Sequence, residues 1–172
     1  MGDLSAHFDR SEFKCKCGCG LGSPSTLLIT RLEKLHALMN ARAIIVNSGY
    51  RCPNYSAAVG GYRNDAHTRN IAADIVVKRQ DGTLYSAEDI AEAAERVGFG
   101  GIGMMYDACH VDTRDSEPYD NSHWFGDERD GRNNIPTFQR GTVFEGEKSA
   151  DSGHSKEALL EELKALYEKY SL

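Results

Sequence analysis

The segment AADIVVK sets the first constraint on this chain. Its residues 73–78 read as a buried β-strand closed by the turn signal QDGT, yet Asp74 stands at the head of the apolar run. An ionised carboxylate in an apolar setting is costly unless it is paired, hydrogen-bonded or bound to a metal. Any fold must therefore bring Asp74 a partner. His67 lies seven residues ahead, in NDAHTRN, and a second histidine, His110, stands in CHVDTR. Side-chain alternation puts His110 and Asp112 on the same face of that strand. Two neutral imidazoles and one carboxylate make a three-ligand set for Zn²⁺, with a fourth tetrahedral position for water. On the residues alone a plainer reading stands beside it: Asp74 caps a turn and His110 is a hydrogen-bonded strand histidine.

The pattern around these residues is that of an α+β domain. SPSTLLITRLEKLHALMN reads as a helix capped by Ser23, with Pro24 in its first turn and Leu28, Leu32, Leu35 and Met39 along one stripe. A strand AIIVN (43–47) follows, then SGYRCPNYSAAVGGYRND, read as a long, mostly irregular functional loop. Ser86 and Asp89 open a short amphipathic helix that Gly98 ends. IGMMY and CHVDTR read as two strands around a tight corner at Asp107 and Ala108. Strands that pair first with helices and then with one another define the class. Residues 115–136 form a polar rim loop anchored by HWF (123–125), which closes a domain over 1–136. A linker over 137–154 leads to a terminal amphipathic helix, 155–172, whose Leu159, Leu163, Leu166 and Tyr170 share one face suited to docking.

Charge and composition exclude several classes. The 172 residues are enough for one domain with a tail, and a net charge of -6 supplies no basic stripe for nucleic acid or an anionic membrane. No apolar run approaches the roughly 20 residues of a membrane span. The beginning MGDLSAHFDRSEF lacks an apolar h-region, so the expectation is synthesis in the cytoplasm without a signal peptide, as a monomer. Of five cysteines, Cys109 reads as a small strand residue. Cys15, Cys17 and Cys19 in CKCGCG, with Cys52, are open to two readings: a metal or redox cluster, or thiols with one disulfide such as Cys15 or Cys17 to Cys52. The C-x-C-x-C spacing is tighter than the usual C-x-x-C knuckle.

The series SGYRC, VGG, His-x6-Asp with AAD, and HVDTR followed by a Trp resembles the zinc D-Ala-D-Ala carboxypeptidase-like peptidases. The likeness runs from Ser11 to Trp124 and is greatest to the small cell-wall peptidases of bacteria and their phages. It implies a small antiparallel sheet flanked by helices, as in hedgehog and DD-peptidase folds, and zinc held by His67, Asp74 and His110. It also implies that Arg51 meets a substrate carboxylate or carbonyl, the substrate being a peptidoglycan stem peptide. Asp107, three positions before the last ligand, falls where some relatives carry their general base. Tyr50, His123 and Trp124 are expected at the substrate, and Asp112 behind the His110 ring. Departures are Asp65 for a usual Ser, Asn70 for a usual Gly and Met105 for a usual Tyr; Asn tolerates the left-handed backbone a Gly would take. The resemblance suits a phage or prophage lysin released onto the wall by a holin. An endopeptidase of the L-Ala-D-Glu type and a non-catalytic zinc-binding wall-docking module are the alternatives it leaves.

Overall fold

Side-chain alternation in three short strands separates a core face from a polar face. The computed structural model describes residues 2–116 and 123–144. Its elements are α1 (Thr26–Leu38), β1 (Ala43–Ser48), α2 (Pro53–Ala58), β2 (Ala72–Lys78), α3 (Ala87–Val97), β3 (Gly101–Met104), β4 (Cys109–Asp112) and β5 (Trp124–Asp127). The strands form one sheet in the order β1-β2-β4-β3-β5. Ala73, Ile75 and Val77 of β2, Ile102 and Met104 of β3, and Cys109 and Val111 of β4 are buried in one core with Leu28, Leu32, Leu35 and Met39 of α1 and Ile90, Ala91 and Ala94 of α3. The fold is α+β, with α3 packed on β3 and β4 and α1 on α3 and β1. No helix among the described residues is long and apolar enough to cross a membrane.

Four strands pair antiparallel, as expected, but β5 pairs parallel with β3, so the sheet is mixed. HWF therefore belongs partly to a strand rather than to a rim loop. Its four residues carry no alternation long enough to announce one, and its register comes from β3. α2 also corrects the irregular reading of the SGYRC segment: Pro53 starts a six-residue helix, too short to show a period.

Helix ends follow side-chain chemistry. Ser86 Oγ accepts the Asp89 N–H, and Gly98, at φ 96°, closes α3 in the left-handed conformation. At α1 the cap is Ser25, which accepts the Leu28 N–H at 3.1 Å, and not Ser23. Ser23 instead donates its amide to Asn70 Oδ1 at 2.8 Å, and Ser25 donates its own to the Asn70 carbonyl at 2.9 Å. The chain is thus held extended for two more residues before the helix begins. Asn70 sits at φ 61°, the left-handed backbone expected for it.

In β1 the register shifts between Val46 and Ser48, so Asn47 is the extra residue of a bulge and Ser48 comes to lie opposite Asp74. Residues 137–144, read from sequence as the start of a linker, run along α3, with Phe138 and Phe144 buried. They are tied there by Glu92, a fully buried carboxylate that accepts the Thr142 amide at 2.9 Å, the Thr142 hydroxyl at 2.8 Å and Arg140 Nε at 3.2 Å. The remainder of that linker and the helix read over 155–172 lie outside the described residues.

Asp127, buried at the end of β5, accepts from Arg129 Nε and Nη2, each at 2.8 Å, and from Arg132 Nη2 at 3.0 Å. The Arg129 hydrogen bonds hold its carboxyl down at about 2. A carboxyl depressed in the fold stabilises it above the ordinary value of about 3.9 and loses that contribution as pH falls. Between about pH 4 and pH 2 this one group should therefore cost the fold about 1–2 kcal/mol, the exposure of its arginines trimming the value. Urea unfolding at a series of pH values should show that loss, and Asp127→Asn should remove this part of the slope.

Candidate metal centre

One row of residues crosses the sheet on its polar face. Ser48 of β1 lies opposite Asp74, Asp74 opposite His110, His110 opposite Gly103, and Gly103 opposite Gly126. Residues directly opposite in neighbouring strands present their side chains to the same face. Asp74 and His110 are therefore brought together by strand pairing alone. His67, buried, arrives from the turns between α2 and β2. Its ring Nδ1 lies 2.7 Å from the Gly49 carbonyl, and its own carbonyl accepts the Arg51 N–H at 3.4 Å.

These three side chains meet at their ligand atoms. His67 Nε2 is 3.2 Å from His110 Nδ1 and 3.2 Å from Asp74 Oδ1, and His110 Nδ1 is 3.0 Å from the same oxygen. A tetrahedral ion with bonds of about 2.0–2.1 Å sets its ligand atoms about 3.3 Å apart, which matches. The protonation pattern agrees. A carbonyl only accepts, so Nδ1 of His67 carries the hydrogen and Nε2 offers a lone pair. Asp112, fully buried and 3.0 Å from His110 Nε2, likewise takes that N–H and leaves the lone pair on Nδ1. Two lone pairs and a carboxylate oxygen then converge, and only a positive charge among them reconciles the three. Burial opposes a charge on His110, but hydrogen bonds to Asp112 and Asp74 outweigh it and raise its pKa to about 10. Asp74 suffers the same desolvation, and hydrogen bonds from both histidines bring its pKa far below the usual carboxylate range. The donor set fits a divalent metal ion.

Further contacts fix the ligands in place. Arg51 donates Nη2 to Asp74 Oδ2 and Nε to Ser48 Oγ at 2.9 Å, so it neutralises the carboxylate oxygen that faces away from the histidines. Asp112 is gripped by Arg114, whose Nη2 reaches Oδ2 at 2.6 Å. The Asp112 carboxylate occupies the space a Gly101 side chain would take: a Cβ there would lie 2.1 Å from Oδ2. Gly103 and Gly126 similarly make a floor for Trp124, whose ring would lie 3.0 Å and 2.5 Å from Cβ atoms built on them. The indole meets the His110 ring edge-on, with centroids 6.3 Å apart.

A cleft of about 1030 Å³ opens over the triad, walled by Arg51, Tyr62, Arg114, Trp124 and Glu128 among others. The residues expected from sequence divide around it. His67, Asp74, His110, Arg51 and Trp124 line it, and Asp112 stands behind His110. Tyr50 is not among the lining residues, and its amide is spent on the Phe13 carbonyl at 2.9 Å. His123 is exposed and rests against Phe125. Asp107 is exposed in the corner that the Met105 N–H closes onto the Ala108 carbonyl, and it is not among the residues that line the cleft, although Met105 is. Asp65 turns its charge inward, accepting the Ser56 hydroxyl and, at 2.9 Å, the Thr68 amide. Sequence reasoning missed Glu128. Its amide donates to the Met104 carbonyl at 2.9 Å, and its Oε1 lies 3.2 Å from a Cβ built on Gly103, beside His110 in the same row. Nothing in the polar run GDERDG singles it out.

A family model described as Peptidase M15 matches residues 6–112, more than half of the chain, a span that includes His67, Asp74 and His110. No curated protein matches it.

Trp124 is the only tryptophan in the chain, so its fluorescence reports on this site. Adding Zn²⁺ to chelator-stripped protein should change that emission. Asp112→Asn should weaken binding roughly 10–100-fold in a competition titration, the usual effect of losing a ligand's supporting acceptor. Gly126→Ala should shift the emission even without metal, because its methyl displaces the indole.

Proposed function

Because the chain belongs to the M15 peptidase family, we propose that it is a zinc metallopeptidase cutting peptidoglycan stem peptides, of the D-Ala-D-Ala carboxypeptidase type. The observation that carries this reading is the meeting of His67 Nε2, His110 Nδ1 and Asp74 Oδ1 at the floor of an open cleft. Three protein ligands leave a tetrahedral ion one position for chemistry, the pattern of catalytic rather than structural zinc. Zinc bound there would supply Lewis acidity for the scissile carbonyl and for the attacking water.

The chain's own residues do the rest. Glu128, on the cleft wall beside His110, takes a proton from the attacking water. As the C–N bond breaks, it passes that proton to the leaving amine. Glu128 is preferred to Asp107 for this role because a general base must stand within reach of the water, and Glu128 lines the cleft. Arg51 holds Asp74 in place and keeps further N–H donors for a substrate carboxylate or carbonyl. Trp124 walls the site and limits water around the triad.

One observation favours a second reading. Arg51 already spends Nε and Nη2 on Ser48 and Asp74, which weakens it as the sole clamp for a terminal carboxylate and suits an endopeptidase of the L-Ala-D-Glu type. In either case the protein fits a phage or prophage lysin that reaches the wall after holin release. A non-catalytic wall-docking module is the outcome if no bond is cut.

Mass spectrometry of muropeptide digests separates these readings: released D-Ala marks the carboxypeptidase, and fragments cut within the stem mark the endopeptidase. Glu128→Gln should lower kcat by about 10²–10⁴ while keeping the metal, whereas Asp107→Ala should leave kcat near wild type. His67→Ala should lose the metal of this site and the activity together.

A further inference from the structure

None of the five cysteines lines the cleft, and four of them gather elsewhere. Cys15, Cys17 and Cys19 belong to the N-terminal segment and Cys52 follows Arg51, yet their sulfurs all lie within 4.8 Å of one another. Cys15 Sγ is 3.3 Å from Cys17 Sγ, and Cys17 Sγ is 3.6 Å from Cys52 Sγ. Zinc held by four thiolates at about 2.3 Å sets its sulfurs about 3.8 Å apart, close to these separations. In an extended strand, sulfurs two residues apart would be spread by about 6.7 Å. Here the segment is coiled instead. The Cys15 amide donates to the Leu21 carbonyl at 2.8 Å and the Gly18 amide to the Cys15 carbonyl at 3.3 Å. Gly18 and Gly20 stand at φ 83° and 74°, where a side chain would strain the turn. The Cys52 amide also points at Cys15 Sγ, 3.3 Å away, a donor suited to a thiolate.

We infer that Cys15, Cys17, Cys19 and Cys52 form a second, structural site for a thiophilic divalent ion, zinc above all, clamping the N-terminal segment to the loop that carries Arg51. Four protein ligands close the coordination sphere, so this ion holds structure and does no hydrolysis. The two segments it joins are already in contact. The Tyr50 amide bonds the Phe13 carbonyl at 2.9 Å, and Gly49 packs so tightly that a Cβ on it would sit 2.5 Å from Phe13 Cα. Between Gly49 and Cys52 this same loop supplies the carbonyl that orients His67 and the guanidinium that holds Asp74. The thiolate site braces the backbone on which the first centre is built.

Metal content and cobalt spectra of protein purified under reducing conditions test this apart from the peptidase reading. Wild type should carry about two ions per chain. The His67→Ala/His110→Ala variant should keep one, and its cobalt form should show the intense thiolate-to-cobalt absorption of a tetrahedral sulfur site. Cys17→Ser/Cys19→Ser should lose that absorption and keep the ion of the histidine site. Should the cysteine variant not fold, the histidine variant decides alone. If that variant is folded by circular dichroism, yet holds no ion and shows no thiolate band, the inference is overturned, whatever the activity of the wild type.

Discussion

The shared oxygen of Asp74 is the constraint around which the rest of this structure is arranged. Oδ1 lies within hydrogen-bonding distance of two imidazole nitrogens, and Oδ2 is matched by Arg51. A buried carboxylate so placed would be costly if any of these neighbours were missing. Each neighbour is therefore backed by another group. Gly49 orients His67, Asp112 orients His110, Arg114 holds Asp112, and Ser48 holds Arg51. A cation bound between the three side chains would complete a network whose protein part is already set.

The sheet performs a division of labour that follows from strand geometry. One face of β2, β3 and β4 is aliphatic and covered by two helices. The other carries Asp74 and His110, and beside them it is stripped of side chains at Gly101, Gly103 and Gly126. Those bare positions let a carboxylate, an indole and the Glu128 carboxylate lie close to the strands. A larger residue at any of them would displace a functional group rather than disturb the core. The architecture thus makes the arrangement of the cleft depend on residues that carry no chemistry of their own.

Much of this was legible in the chain itself. His67, Asp74 and His110 stood out because a carboxylate heading an apolar strand needs a partner and alternation aligned His110 with Asp112, but it was the resemblance to zinc peptidases that chose the metal reading over the plainer one. The stripe of α1 and the Ser86 and Gly98 ends of α3 were visible for the same local reasons. What could not be read depends on distant segments. β5 takes its parallel register from β3, Ser25 displaces Ser23 as cap because Asn70 engages the preceding amides, and Glu92 finds its partners some fifty residues later at Thr142. Glu128 belongs with these: its place on the cleft wall comes from the Met104 carbonyl and the bare Gly103, not from its neighbours in sequence.

The bulge at Asn47 acts on the direction of the chain. Up to Val46, β1 alternates in step with β2, with Ile44 opposite Val77 and Val46 opposite Ile75, both pairs on the helix side. The single extra residue puts Ser48, rather than Asn47, opposite Asp74. Deleting Asn47 would leave Val46 opposite Ile75 and Ser48 opposite Asp74 in regular pairing, so the extra residue adds a local bend rather than a change of side. The bulge thus aims the following loop, with the Gly49 carbonyl and Arg51, by bending the end of the strand and not by choosing its face.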